Sequence, residues 1–238
     1  MRTAIKKILP KWMHVLWFNF REFIFLTAYP DTKSRFSKIY SNNMWQNPES
    51  ASGFGSTLIA TQEARKGLEA LIDTNHVRSI LDVPCGDFNW MRSLKFAGNY
   101  IGVDIVDKLV EDNQRRYADE RHRFIQLDLI KDKLPQADLV LCRECLNHLS
   151  LVEVRAAISN LIVTPTKFLI MTHYPDVSKN AEQLASFRYR PLNFTKSPFF
   201  LRQPDMLIDE SQSESGKCLA VWEVGIAPVV LPTHPSIH

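Results

Sequence analysis

The chain is short of the features that would place it in several large protein classes. Only four cysteines occur in 238 residues, Cys85, Cys142, Cys145 and Cys218, and no regular spacing links them. That argues against a disulfide framework and for a reducing compartment. Cys142 and Cys145 make one isolated C-x-x-C at the end of an apolar run, whereas a structural zinc site needs four ligands in two clusters, so no metal is expected. Buried, reduced thiols are the default reading. Charge of one sign is also lacking: 29 Lys and Arg against 26 Asp and Glu leave +3, and nothing in that balance suggests nucleic acid as a partner. No uncharged run reaches the ~20 residues of a membrane span, because Arg21 and Glu22 interrupt the apolar stretch from Met13 to Ala28. A signal-peptide cleavage signature does not stand out either.

What the chain does have is concentrated at its start. Residues 1–30 carry Arg2, Lys6, Lys7, Lys11 and Arg21 against Glu22 alone, together with Trp12, Trp17, Phe18, Phe20, Phe23, Phe25 and Tyr29. Residues 1–39 therefore read as a basic, aromatic helical arm that either packs on the main domain or between subunits, or makes a peripheral membrane contact through residues 1–30. The expected localisation is cytoplasmic, with any such contact at the inner face of the membrane. Residues 40–227 read as one α/β domain and 228–238 as a proline-containing tail.

Within that domain, short apolar runs alternate with helical stretches. Ser79–Val83, Tyr100–Val106, Arg123–Leu127, Ala137–Cys142 and Lys167–Thr172 read as parallel strands joined by crossovers. Leu58–Asp73, Lys108–Tyr117 and Leu151–Ile162 have helical periodicity, the last with Val152, Ala156, Ile158 and Leu161 on one face. A further helix is expected after the first strand, capped by Asp87 or Asn89, with Trp90, Met91 and Leu94 on its buried side. Met206–Ile208 and Cys218–Val224 then form an antiparallel terminal pair.

The most informative segment is Ser79-Ile-Leu-Asp-Val-Pro-Cys-Gly-Asp-Phe88, an apolar strand running into a tight turn. Ligands of open α/β sheets collect at such strand ends. A dinucleotide site would want a G-x-G-x-x-G turn so that the backbone can approach a pyrophosphate; this turn has Gly86 alone, flanked by Asp82 and Asp87, whose charges repel phosphate. Asp104 lies 22 residues beyond Asp82, about one strand-helix-strand step, and a carboxylate there accepts hydrogen bonds from both ribose hydroxyls. An acid-lined turn suits a cationic cofactor without phosphates, such as S-adenosylmethionine.

At these residues the chain resembles a known family. Leu81-Asp-Val-Pro-Cys-Gly-Asp-Phe-Asn-Trp-Met91 is similar to motif I of class I S-adenosylmethionine-dependent methyltransferases, in the variant D-x-P-C-G-D-F-x-W-M. Pro84 and Phe88 stand where the common pattern has glycines. The resemblance extends from about Tyr40 to Val224 and implies a Rossmann-like fold: a seven-stranded, mostly parallel sheet ordered 3-2-1-4-5-7-6, with helices on both faces. It also implies a cofactor site built from Asp82, Pro84, Cys85, Gly86 and Asp87, from Asp104 with Ile105 toward the ribose, and from Asp128 with Leu129 toward the adenine. Cys142 and Arg143 after the fourth strand join that set, with Gly55 and Ser56 on a loop closing over the cofactor.

Methyl transfer to oxygen needs alignment and a destination for a proton. His148, just past the fourth strand, and His173, at the end of the fifth, are the candidate catalytic bases. Arg188 and Arg190, set among Phe187, Tyr189, Phe194, Phe199 and Phe200, are the candidate substrate contacts. Cations among aromatics suit an anionic or sugar-bearing acceptor. The expected activity is O-methylation of a glycan or other small hydroxylated acceptor, in the manner of polysaccharide-pathway enzymes. A noncatalytic cofactor-binding interaction protein and an NAD-dependent enzyme are the competing readings.

Overall fold

The computed structural model describes residues 11–182 and 188–225. The expected tail, Phe187 and the first ten residues of the arm lie outside that range. Twelve regular elements occur among the described residues: α1 (Lys11–Ala28), α2 (Thr32–Ser41), α3 (Gln62–Asn75), β1 (Ser79–Asp82), β2 (Asn99–Asp104), α4 (Asp107–Tyr117), β3 (His122–Gln126), β4 (Leu139–Cys142), α5 (Leu151–Val163), β5 (Phe168–His173), β6 (Met206–Asp209) and β7 (Cys218–Glu223).

The strands form one sheet in the order β3-β2-β1-β4-β5-β7-β6. β1 to β5 are mutually parallel, while β7 inserts antiparallel between β5 and β6. This is the expected Rossmann-like order. The physical reason lies in the strands' composition, which is apolar without interruption, so that alternate residues supply two different cores. Ile80, Tyr100, Leu139, Leu141 and Ile170 face α3 and α4 with Ala64, Leu68, Leu109 and Val110. Leu81, Val103, Val140, Leu169 and Met171 face α5 with Val154, Ala157, Ile158 and Leu161.

Three local expectations are corrected. No α-helix follows β1; a single short turn of 3-10 helix, Met91–Ser93, stands there. Asn89 does not cap a helix, because its side-chain amide donates to Glu49 Oε1 and to the Ser56 carbonyl, at 2.8 and 3.0 Å. On α5, Val152 is exposed, and the buried stripe is Val154, Ala157, Ile158, Leu161 and Ile162. The offset follows from the N-terminus: Ser150 and Glu153 form a capping box that sets the rotation of the first turn. Leu58 precedes α3 and is exposed.

α2 spans residue 39, where the arm was expected to end, and buries Ile39 and Arg35 against the domain. Arg35 is tied to Glu153 of α5. All four cysteines are buried and free. Among the described residues no helix is long and apolar enough to cross a membrane.

Candidate active site

A cavity of about 370 Å³ opens at the carboxyl ends of β1, β2, β3 and β4. Its floor is the turn after β1. There Gly86 has φ +53°, and a Cβ on it would come within 2.3 Å of Ser52 Oγ, so both conformation and space require glycine. Phe88 has φ +59°, a conformation that costs a non-glycine residue ~1–3 kcal/mol. Its ring is buried against Tyr100 and Phe124, at centroid distances of 4.7 and 5.2 Å. Burial of such a ring stabilises by roughly 1.5–3 kcal/mol, enough to hold a phenylalanine where a glycine would be easier.

Three aspartates reach the cavity. Asp82 ends β1, accepts a hydrogen bond from the Tyr100 hydroxyl at 2.7 Å, and is pushed by burial to a pKa of about 7. Asp104 ends β2 and accepts the Gly86 and Val106 N–H groups at 3.2 and 3.0 Å. Burial raises its pKa to about 6 despite those donors. Asp128 follows β3 and accepts the Ile130 N–H at 2.8 Å, with Leu127, Leu129 and Ile130 beside it on the wall. Pro84, Cys85, Ile105, Gly55 and Ser56 also line the cavity.

Asp87 and Cys142 are absent from the lining and are corrected. Asp87 accepts the Ala51 N–H at 2.7 Å and the Ser50 hydroxyl at 2.9 Å, and its own N–H donates to Ser52 Oγ at 3.0 Å. It clasps the 50–56 loop onto the turn. Cys142 packs in the core beneath α5, since β4 alternation turns its side chain away from the rim.

Arg143 lies against the cavity and organises its upper edge. It donates to Glu210 Oε1 and to the Gly55 carbonyl, at 2.7 Å each, with its guanidinium 5.1 Å from the centre of the Trp90 ring. Glu144 next to it has φ +56°, and its Oε1 lies 2.5 Å from Lys217 Nζ. Burial alone would raise the Glu144 pKa, but Arg143 and Lys217 outweigh it and hold the carboxyl below its ordinary value. Glu144 therefore stays ionised at the cavity wall.

His148 is on that wall, with Trp45 and Tyr189 packed at 5.5 and 5.3 Å between ring centres. Its Nδ1 lies 2.5 Å from the Arg188 carbonyl oxygen. A carbonyl only accepts, so the neutral ring carries its proton on Nδ1 and presents Nε2 as the basic atom. Tyr174 donates its hydroxyl hydrogen to Glu214 at 2.5 Å, so the Tyr189 hydroxyl, 2.5 Å away, donates to Tyr174. That leaves the Tyr189 oxygen an acceptor on the cavity side.

The other expected base is corrected. His173 is 1% exposed, stacks on Phe194, and accepts the Phe194 N–H at 3.3 Å, outside the cavity lining. Burial lowers its pKa to about 4. The two expected substrate arginines are corrected as well. Arg188 pairs with Glu22 of α1 at 2.7 Å, and buried Arg190 donates to the carbonyls of Ala181 and Asn147 at 2.6 and 3.1 Å. Neither lines the cavity; Tyr189 between them does. Sequence reasoning missed Thr32, Phe36 and Tyr40 of α2, with Trp45 after it, all of which close the cavity. Their aromatic density was the available signal.

The donor set fits S-adenosylmethionine. A glycine at closest approach, two buried acids toward a cation and a ribose, and an apolar-walled acid beyond β3 match its methionine, ribose and adenine parts. A pyrophosphate fits poorly, because no helix N-terminus follows β1 to receive it.

Comparison with known proteins agrees. A family model described as a methyltransferase domain matches residues 80–163. Among solved structures, the fold is similar to the N-methyltransferase NodS from Bradyrhizobium japonicum WM9 in complex with S-adenosyl-L-homocysteine, at 17% identity, covering 78% of this chain and 97% of that one, with a TM-score of 0.56. It is also similar to magnesium protoporphyrin IX methyltransferase from Synechocystis PCC 6803 with bound S-adenosylmethionine, at 17% identity and a TM-score of 0.50, covering 68% and 79% of the two chains. No curated protein matches the sequence.

Proposed function

We propose that this S-adenosylmethionine-dependent methyltransferase transfers the methyl group to a hydroxyl of a small neutral acceptor of the sugar class. The observation that carries the reading is His148, fixed by the Arg188 carbonyl so that Nε2 is its basic atom, on a wall shared with Glu144, Tyr189 and Trp45. An indole face packs against the C–H side of a pyranose, and a carboxylate with a phenolic oxygen accepts from its hydroxyls. The engagement of Arg188 and Arg190 elsewhere favours a neutral sugar over an anion.

When bound, S-adenosylmethionine supplies an electrophilic methyl carbon on a sulfonium. Asp104 would hold the ribose hydroxyls, Asp128 would meet the adenine edge, and Asp82 would lie toward the cationic methionine end. Glu144 and Tyr189 would accept hydrogen bonds from the acceptor and orient one of its hydroxyls toward the bound cofactor. His148 Nε2 would take up that hydroxyl's proton, the methyl passing to its oxygen and S-adenosylhomocysteine leaving as the neutral thioether, which would make transfer to oxygen feasible near neutral pH. The loop around Gly55, held by Arg143, excludes water over the reacting groups.

The purified chain, incubated with methyl-labelled S-adenosylmethionine and a panel of free and linked sugars, is expected to label hydroxyls. Trp45→Ala is expected to raise KM for the sugar with little change in cofactor affinity. Labelling confined to amines, or a Trp45→Ala variant with unchanged KM, would overturn the sugar assignment.

A further inference from the structure

Helix α1 presents an apolar face that the domain does not cover. Phe20, Phe23 and Ile24 are 61%, 66% and 49% exposed, and Trp17 on the same side is 48% exposed. Spacings of three and four residues put Trp17, Phe20 and Ile24 on one side, with Phe23 at its margin. Exposed aromatics this dense in a single stretch mark a docking surface.

The charge around this face narrows its occupant. Arg21 borders it, the guanidinium 4.6 Å from the centre of the Trp17 ring. Arg2, Lys6, Lys7 and Lys11 precede it in sequence with no acid among them. Glu22 is the sole acid of residues 1–30, and it is neutralised by Arg188 at 2.7 Å. Aromatic and aliphatic side chains flanked by cations suit the boundary between anionic headgroups and acyl chains.

We propose that α1 is an interfacial helix that docks this enzyme on an anionic bilayer surface. The helix lies in the plane of the interface with Phe20, Phe23 and Ile24 among the acyl chains and Arg21 at the headgroups. Two contacts tie the other side of the helix to the site: Glu22 holds Arg188, and the Arg188 carbonyl holds His148. Docking thus holds the domain beside the bilayer, within reach of an acceptor anchored there.

The test is co-sedimentation of the full chain with vesicles of phosphatidylcholine alone and of phosphatidylcholine mixed with phosphatidylglycerol. Binding is expected to the mixed vesicles, to weaken with added salt, and to fall by about tenfold or more in Phe20→Ser/Phe23→Ser/Ile24→Ser. Because those three side chains are exposed, cofactor binding and transfer to a soluble acceptor are expected to persist in the triple variant. Arg21→Glu is expected to lose binding to mixed vesicles only. Equal sedimentation of wild type and triple variant, binding indifferent to phosphatidylglycerol, or no binding at all would overturn the proposal. So would a lipid-free dimer that the triple substitution dissociates, which assigns the face to a second copy.

Discussion

Arg143 and Glu210 form an ion pair in the interior, their side chains 3% and 0% exposed, with both Nε and Nη2 of the arginine on the single oxygen Oε1, at 3.0 and 2.7 Å. The pair joins the residue after β4 to the residue after β6, and from it the guanidinium reaches the Gly55 carbonyl. Truncating one partner strands a buried charge. Glu210→Ala is therefore expected to lower stability by ~3–5 kcal/mol, read from denaturant midpoints. It should also weaken cofactor binding, since the 53–56 loop loses its anchor; a variant with wild-type stability would show the pair to be dispensable.

Asp82 and Asp104 make cofactor binding depend on pH, and the sign follows from their raised pKa values of about 7 and about 6. In the free chain the folded state holds more protons than the unfolded one above about pH 4. The stability these two groups contribute is then fully present below about pH 4 and lost as pH rises through 6 and 7. A cationic methionine end and a ribose both favour the ionised acids. Binding is accordingly expected to release protons and to tighten, as pH rises toward about 6 and 7, by up to about tenfold per pH unit for each of the two acids. Titration calorimetry in buffers of different ionisation enthalpy measures the release. Asp104→Asn should bind weakly and lose one of the two proton-linked steps, leaving that of Asp82; a profile as steep as the wild type's would remove Asp104 as a titrating group.

His148 and the cofactor acids are expected to separate kinetically. His148→Ala should retain S-adenosylmethionine affinity within about twofold while kcat drops by ~10²–10⁴ for a hydroxyl acceptor. Full turnover in this variant removes the residue as the base.

Gly86 carries two separable constraints. Gly86→Ala places a side chain at φ +53°, costing ~1 kcal/mol, and drives its Cβ against Ser52 Oγ. Cofactor affinity is expected to fall by about tenfold or more. Adding Ser52→Gly should relieve the collision and recover part of the stability, leaving the backbone contribution and the loss of the Asp87 N–H to Ser52 Oγ hydrogen bond. Thermal unfolding of the two variants side by side gives the comparison.

The strands were legible because their signal is local. Ile80, Leu81, Val103 and Val140 belong to unbroken apolar runs too short for helices, and burial on both faces follows from that composition. The turn after β1 was legible in its chemistry but misleading in its shape. Trp90, Met91 and Leu94 imitate helical spacing, while Asp87 and Asn89 spend their hydrogen bonds on the 49–56 segment, which lies more than thirty residues away in sequence. A cap and a long-range clasp use the same residue types, so no local pattern tells them apart.

The same limit separates His148 from His173 and Tyr189 from its two arginine neighbours. By itself the sequence determined the sheet, the acids that end β1 and β2, and the kind of cofactor those acids suit, because each depends on residues close together in the chain. Which histidine reaches the cavity, where Arg143, Arg188 and Arg190 spend their charge, and that α2 closes the cavity were decided only by tertiary structure. Those outcomes depend on which distant partners satisfy each buried polar group, and that competition is settled when the elements pack.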